Sequence, residues 1–275
     1  MKYKSISILG CGWYGLPLAK SLVSKGYTVQ GSTTSKSKLN LIEETGAKSF
    51  LINLDLADDE FDASFFDSEV LIVCLPPKRH AGEHKDYPAK ISKIIDAAKR
   101  GSIAKVLMIS STSVYADVNR EVLAGELPKP DTEAGEAILH AEEYVKSAYT
   151  HNTTIVRFSG LIGPGRNLAR FFAGKTNIPN GLAPINLIHL EDCIKLTEYL
   201  IAEDAFGFTL NASSPDHPSR MEFYSKVAEI TGLELPGFIP ELVKWKQING
   251  NEPVSKLNYK YLVNNWSEFL TVDKL

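Results

Sequence analysis

Gly10, Gly12 and Gly15 stand at G-x-G-x-x-G spacing inside the run Ser5-Ile6-Ser7-Ile8-Leu9-Gly10-Cys11-Gly12-Trp13-Tyr14-Gly15-Leu16-Pro17-Leu18-Ala19. The chemistry this spacing suits is the holding of phosphate. Gly10 permits a tight turn out of a strand, Gly12 lets backbone approach a pyrophosphate, and Gly15 lets a helix pack close to the strand. The helix that follows offers N–H groups and a partial positive charge to the phosphates. Trp13 and Tyr14, between the second and third glycines, belong to the same candidate cradle. The alternative is a tight strand–helix turn that binds nothing. The apolar strand before the loop and the helical spacing after it favour the dinucleotide reading.

A second candidate stretch is Gln30-Gly31-Ser32-Thr33-Thr34-Ser35-Lys36. A site for NAD usually carries an acid there, about 20 residues past the glycines, to hold the ribose hydroxyls. Here no acid is present to repel a 2′-phosphate, and the hydroxyls of Ser32, Thr33 and Ser35 together with the lysine Lys36 are available to bind one. NADP is therefore expected over NAD, and Gly31→Asp is expected to invert the preference. Leu75 and Pro76 end a strongly apolar stretch beside the same presumed cleft. His80 and His84 are four residues apart, but Gly82 and the prolines before them argue against the helix a shared metal would need, and no metal site is expected. Arg166, Arg170 and Lys175 form the basic cluster nearest the expected cleft and suit an anionic substrate, with a solvated surface as the plain alternative.

The elements that must position these residues alternate. Apolar runs at 5–9, 27–31, 49–55, 69–75, 105–111 and 154–158 read as strands. Between them, helical periodicity appears at 13–25, 36–45, 86–99 and 132–149. Later come a helix at 190–202, a strand at 208–212 and a helix at 220–231. The order predicts a doubly wound parallel α/β sheet of Rossmann type with a small C-terminal substrate lobe. The expected division is a dinucleotide domain over 1–165 and a lobe over 166–275, interleaved with the last sheet elements near 187–212. The chain has 275 residues, 44% of them hydrophobic, and a net charge of −3 with both signs dispersed. That pattern excludes a nucleic-acid footprint and a basic membrane surface. Cys11, Cys74 and Cys193 are too far apart in sequence for metal or disulfide spacing. The first strand follows directly on Met1–Lys4, and no apolar run reaches membrane-spanning length, so a cytoplasmic monomer or homodimer is expected.

Several motifs converge on one family. Ser110-Ser111-Thr112-Ser113-Val114-Tyr115, Arg157 through Gly165, Asn186 through Asp192, Asp55 and the glycine loop together resemble the extended short-chain dehydrogenase/reductase superfamily. The chain is most similar to its atypical, NAD-dependent epimerase/dehydratase-like branch, although its glycines are spaced more tightly than the G-x-x-G-x-x-G usual there. The resemblance implies a dinucleotide cofactor, Asp55 among its contacts, and a small-molecule substrate. It also implies a Tyr-x-x-x-Lys pair, in which the lysine lowers the tyrosine pKa so that a proton moves near neutral pH. Registered on Gly135 and Glu142, that pair falls on Ala134 and Ile138, neither of which carries a proton. Ser111 matches the serine that polarises the substrate carbonyl. Tyr115 is the nearest remaining acid, with a packing role as its alternative; His140 and His189 read as a solvated and a capping histidine. Two functions stay open: an oxidoreductase or epimerase-like enzyme with a substituted acid, and a dinucleotide-binding sensor or scaffold with reduced chemistry. The glycine loop by itself also resembles that of β-hydroxyacid dehydrogenases, whose all-helical second domain the strands at 154–158 and 208–212 argue against.

Overall fold

The computed structural model describes residues 1–54, 61–77 and 83–275. In chain order the elements are β1 (Ser5–Leu9), α1 (Gly15–Ser24), β2 (Thr28–Thr33), α2 (Leu39–Glu43), β3 (Lys48–Leu51), β4 (Val70–Val73), α3 (Tyr87–Arg100), β5 (Lys105–Ser111), β6 (Glu121–Val122), α4 (Glu133–Tyr149), β7 (Thr153–Phe158) and β8 (Gly160–Ile162). They continue with β9 (Leu187–His189), α5 (Leu190–Ala202), β10 (Thr209–Ala212), α6 (Arg220–Thr231), β11 (Gln247–Ile248), α7 (Glu252–Leu257) and α8 (Trp266–Phe269). The main sheet has seven strands in the order β10-β7-β5-β4-β1-β2-β3. Its central pairs, from β3 to β5, are parallel. The order reverses at β1, the switch point at which α/β sheets hold ligands beyond their carboxyl ends.

Burial explains why these residues form this sheet. All four residues of β4 and all six of β7 are buried, as parallel strands covered on both faces must be. Helix α3 turns Ile91, Ile94, Ile95 and Ala98 inward, and α4 buries Ile138, Ala141 and Val145, each at helical spacing. Helix α4 starts cleanly because Thr132 Oγ1 accepts from the Gly135 N–H at 3.1 Å. A Cβ on Gly135 would lie 2.5 Å from the Ser113 carbonyl, so only glycine lets α4 approach the end of β5 so closely.

Strand β2 departs from the expected bounds. It continues two residues past Gly31, because Ser32 and Thr33 pair with Phe50 and Leu51 of β3. These two residues are thus held in the sheet, not in a loop. Strand β3 in turn stops at Leu51, shorter than expected, and the short strands β6, β8, β9 and β11 carried no sequence signal long enough to register.

The chain divides into two compact units. The first comprises 1–114, 130–157 and 194–209; the second comprises 115–129, 158–193 and 210–275. The second has its own core of Ile162, Ile185, Leu187, Phe223, Val227, Val263 and Trp266. Helix α6 within it is opened by a reciprocal cap between Ser219 and Glu222. Among the described residues no helix is long and apolar enough to cross a membrane.

Candidate functional site

The glycine loop is anchored to the end of β2. Gly10 N–H donates to Ser32 Oγ at 3.0 Å, and Cys11 N–H donates to the Ser32 carbonyl at 2.7 Å. Gly10 has φ +100°, a conformation costly for any residue with a Cβ. A Cβ on Gly15 would lie 2.2 Å from the Gly10 carbonyl oxygen, so the start of α1 rests directly on the turn. Gly12 differs: a Cβ there would meet nothing within 4 Å. The space in front of Gly12 is open, as a pyrophosphate cradle must be. The first turn of α1 carries no acidic residue that would compete for its positive end.

A cleft opens beyond the carboxyl ends of β1, β2, β3 and β4. It is lined by Leu9, Gly10, Ser32, Thr33, Thr34, Ile52, Asn53, Leu54, Leu75, Pro76, Tyr87 and Lys90. Among the described lining residues, aliphatic walls with a few hydroxyls, one amide and one cation suit the adenosine half of a dinucleotide. Tyr87 holds the rim together by donating its hydroxyl to the Leu75 carbonyl at 2.8 Å.

Of the residues singled out from sequence, the cleft gathers Gly10, Ser32, Thr33, Leu75 and Pro76. Trp13 is exposed. Tyr14 is buried, its hydroxyl 2.6 Å from Thr197 Oγ1 on α5. Ser35 is engaged with Ser37 in the turn before α2. Asp55 and His80 lie outside the described residues, and His84 sets its Nε2 2.6 Å from Glu133 Oε2. Ser111 Oγ accepts from the Ser113 N–H at 3.1 Å in the first unit. Tyr115 belongs to the second unit, where it is buried and donates to Asn211 Oδ1 at 3.2 Å. Arg166, Arg170 and Lys175 are exposed in that second unit. Ala134 is half-buried in the first turn of α4 and Ile138 is buried one turn on, so neither side chain has proton chemistry to offer.

One sequence-based expectation needs correction. Gly31 faces the interior, where a Cβ would come 2.7 Å from Cys11 Sγ and 2.8 Å from Ile42 Cγ2. Gly31→Asp would therefore force a carboxylate into an apolar contact, not toward a ribose. The expected outcome is a loss of several kcal/mol of stability, about 2 to 4 from overpacking and polar burial together, read from the urea midpoint. Strand alternation passes the cleft-facing role to Ser32. Burial also pushes the Cys11 thiol up to about 12, in keeping with a filler role for this residue.

Sequence reasoning missed two features. Lys90 reaches the cleft from α3, a placement that no local motif announces. The second is the partnership of Glu142 and Arg157. The Glu142 carboxylate, fully buried, accepts from Arg157 Nε at 2.9 Å and Nη2 at 2.5 Å, and from the Ser110 hydroxyl. It ties α4 to β7 and β5 beneath the sheet's carboxyl ends. Both residues stood in the motifs, but nothing in one dimension pairs them.

A parallel sheet reversing at β1, a glycine turn into α1 and a cleft at the strand ends define a dinucleotide-binding Rossmann protein. The family described as NAD(P)H-binding matches residues 10–181, and the chain belongs to it. Protein YeeZ from Escherichia coli K12 is 34% identical over 264 residues, which span 94% of this chain and 96% of the relative. Among solved structures, UDP-glucuronic acid 4-epimerase from Bacillus cereus in complex with NAD has the same fold. Its TM-score is 0.78 at 19% identity, covering 96% of this chain and 95% of that one. A functionally unknown conserved protein from Silicibacter pomeroyi has TM-score 0.75 at 18% identity, with 96% of both chains covered.

Proposed function

We propose that this NAD(P)-binding, epimerase/dehydratase-like protein is an oxidoreductase or epimerase that prefers NADP(H) and acts on a small, anionic molecule. The observation that carries the cofactor preference is the end of β2. Ser32, Thr33 and Thr34 line the cleft there, and no carboxylate is among its described lining residues. An acid at this place would hold the ribose hydroxyls of NAD and repel a 2′-phosphate; hydroxyls accept the phosphate. Ser111 is the candidate carbonyl-polarising group, and exposed Arg166, Arg170 and Lys175 support an anionic substrate on the second unit.

Calorimetry with NADPH, NADP, NADH and NAD tests the reading. The expected result is that the phosphorylated pair binds more tightly at matched salt. Ser32→Asp keeps an acceptor for the Gly10 N–H and adds a charge facing the ribose, so it should move the preference toward NADH by about tenfold or more, the scale of one charge-assisted contact. Equal affinities in the parent would remove the NADP preference.

A second reading, a dinucleotide sensor with reduced chemistry, is favoured by a specific observation. Ala134 and Ile138 cannot exchange protons, and the Tyr115 hydroxyl is already engaged by Asn211. Tight cofactor binding without hydride transfer to any carbonyl in a broad screen would support the sensor over the enzyme.

A further inference from the structure

Among the described residues lining the cleft, Lys90 is the one cation, and it comes from α3. The β2–α2 segment, which holds Lys36 and Lys38, leaves both exposed and outside the lining. Lys90 stands three residues after Tyr87, so the two share one helix face. Tyr87 fixes that face against the end of β4 through the Leu75 carbonyl. The Tyr87 face continues into the core through Ile91, Ile94 and Ile95, and Lys90 stands at its edge.

Lys90 lies in the first turn of α3, four residues after the N-cap Asp86. The two 5′-phosphates of a dinucleotide are served by the glycine loop and α1. The anion that remains is the one that separates NADP from NAD, and Ser32, Thr33 and Thr34 line the same cleft.

We propose that Lys90 is the cation that reads the 2′-phosphate of NADP(H), which makes α3 the element that determines cofactor specificity. This inference rests on the cleft being the adenosine site of the proposed function. The test is calorimetry of adenosine 2′,5′-bisphosphate against ADP, and of NADPH against NADH, on the parent, Lys90→Gln, Lys90→Arg and the double variant Lys36→Gln with Lys38→Gln. Lys90→Gln should lose about 10- to 100-fold on the two 2′-phosphorylated ligands, the range of a charge-assisted contact. It should change ADP and NADH by less than about threefold, and Lys90→Arg should restore most of the difference. The Lys36/Lys38 variant should behave as the parent. An equal loss on ADP, an unchanged preference in Lys90→Gln, or a loss carried instead by Lys36 and Lys38 would each overturn the role of Lys90 while leaving the cofactor site intact. A parent that binds none of the four ligands would overturn the proposed site itself, and the inference with it.

Discussion

Gly12→Val is expected to fold as the parent does and to lose dinucleotide affinity by about 100-fold or more, since the side chain takes the volume a pyrophosphate needs. Two observations make the fold tolerant. A Cβ at Gly12 meets nothing within 4 Å, and the φ of Gly12 lies outside the left-handed region that only glycine adopts with ease. The neighbouring glycine supplies the contrast. Gly15→Ala places a methyl 2.2 Å from the Gly10 carbonyl, a backbone atom that cannot swing aside, and should impair folding before binding is even reached. Thermal denaturation and NADPH titration of both variants separate the two roles. A folded Gly12→Val protein that keeps its affinity within a few-fold would refute the assignment of this loop to the cofactor.

The second large effect is on stability. Removing either partner of the pair between Glu142 and Arg157 leaves the other's charge in the interior without the group that meets it most closely. Glu142 is 0% exposed and Arg157 is 2% exposed. Breaking a buried pair in this way costs about 3–5 kcal/mol, whereas replacing both partners with apolar residues of similar volume is often close to neutral. Glu142→Ala and Arg157→Met should each lower the urea midpoint sharply. Glu142→Leu combined with Arg157→Met should be less damaging than the sum of single changes at the two sites. Lys146 does not rescue the Arg157 single variant, because its Nζ stands 3.7 Å from Glu142 on a half-exposed side chain. Additive losses would show that the two groups do not act as a unit.

The same pair shows where one-dimensional reading stops. Glu142 served as a marker for aligning α4, and Arg157 opened a motif on β7, yet they are 15 residues apart and belong to different elements. Only the packing of α4 over the sheet makes them one buried group. Tyr115 is similar: its place after β5 suggested a proton donor, and its engagement with Asn211, 96 residues away, depends on the fold of the second unit.

What the sequence by itself determined is what local rules govern. Glycine spacing specified the turn and the helix start, because conformational freedom and close approach are properties of single residues. Periodicity specified the helices, α6 to the residue, and the run of buried strands, because burial on one face or two leaves a period of its own. The composition at the end of β2 already held the hydroxyls and lacked an acid. The tertiary structure decided which of those residues face the cleft. Strand alternation is strict, so where a strand ends and which face is covered determine that Gly31 points at Cys11 and Ile42 while Ser32 meets Gly10. It also decided that, among the described residues, the cation lining the cleft is Lys90 on α3 and not Lys36 on the nearest loop. A side chain's charge is written in the sequence, but the field it supplies acts through space, and only the packing of α3 beside β4 brings that charge to the cleft.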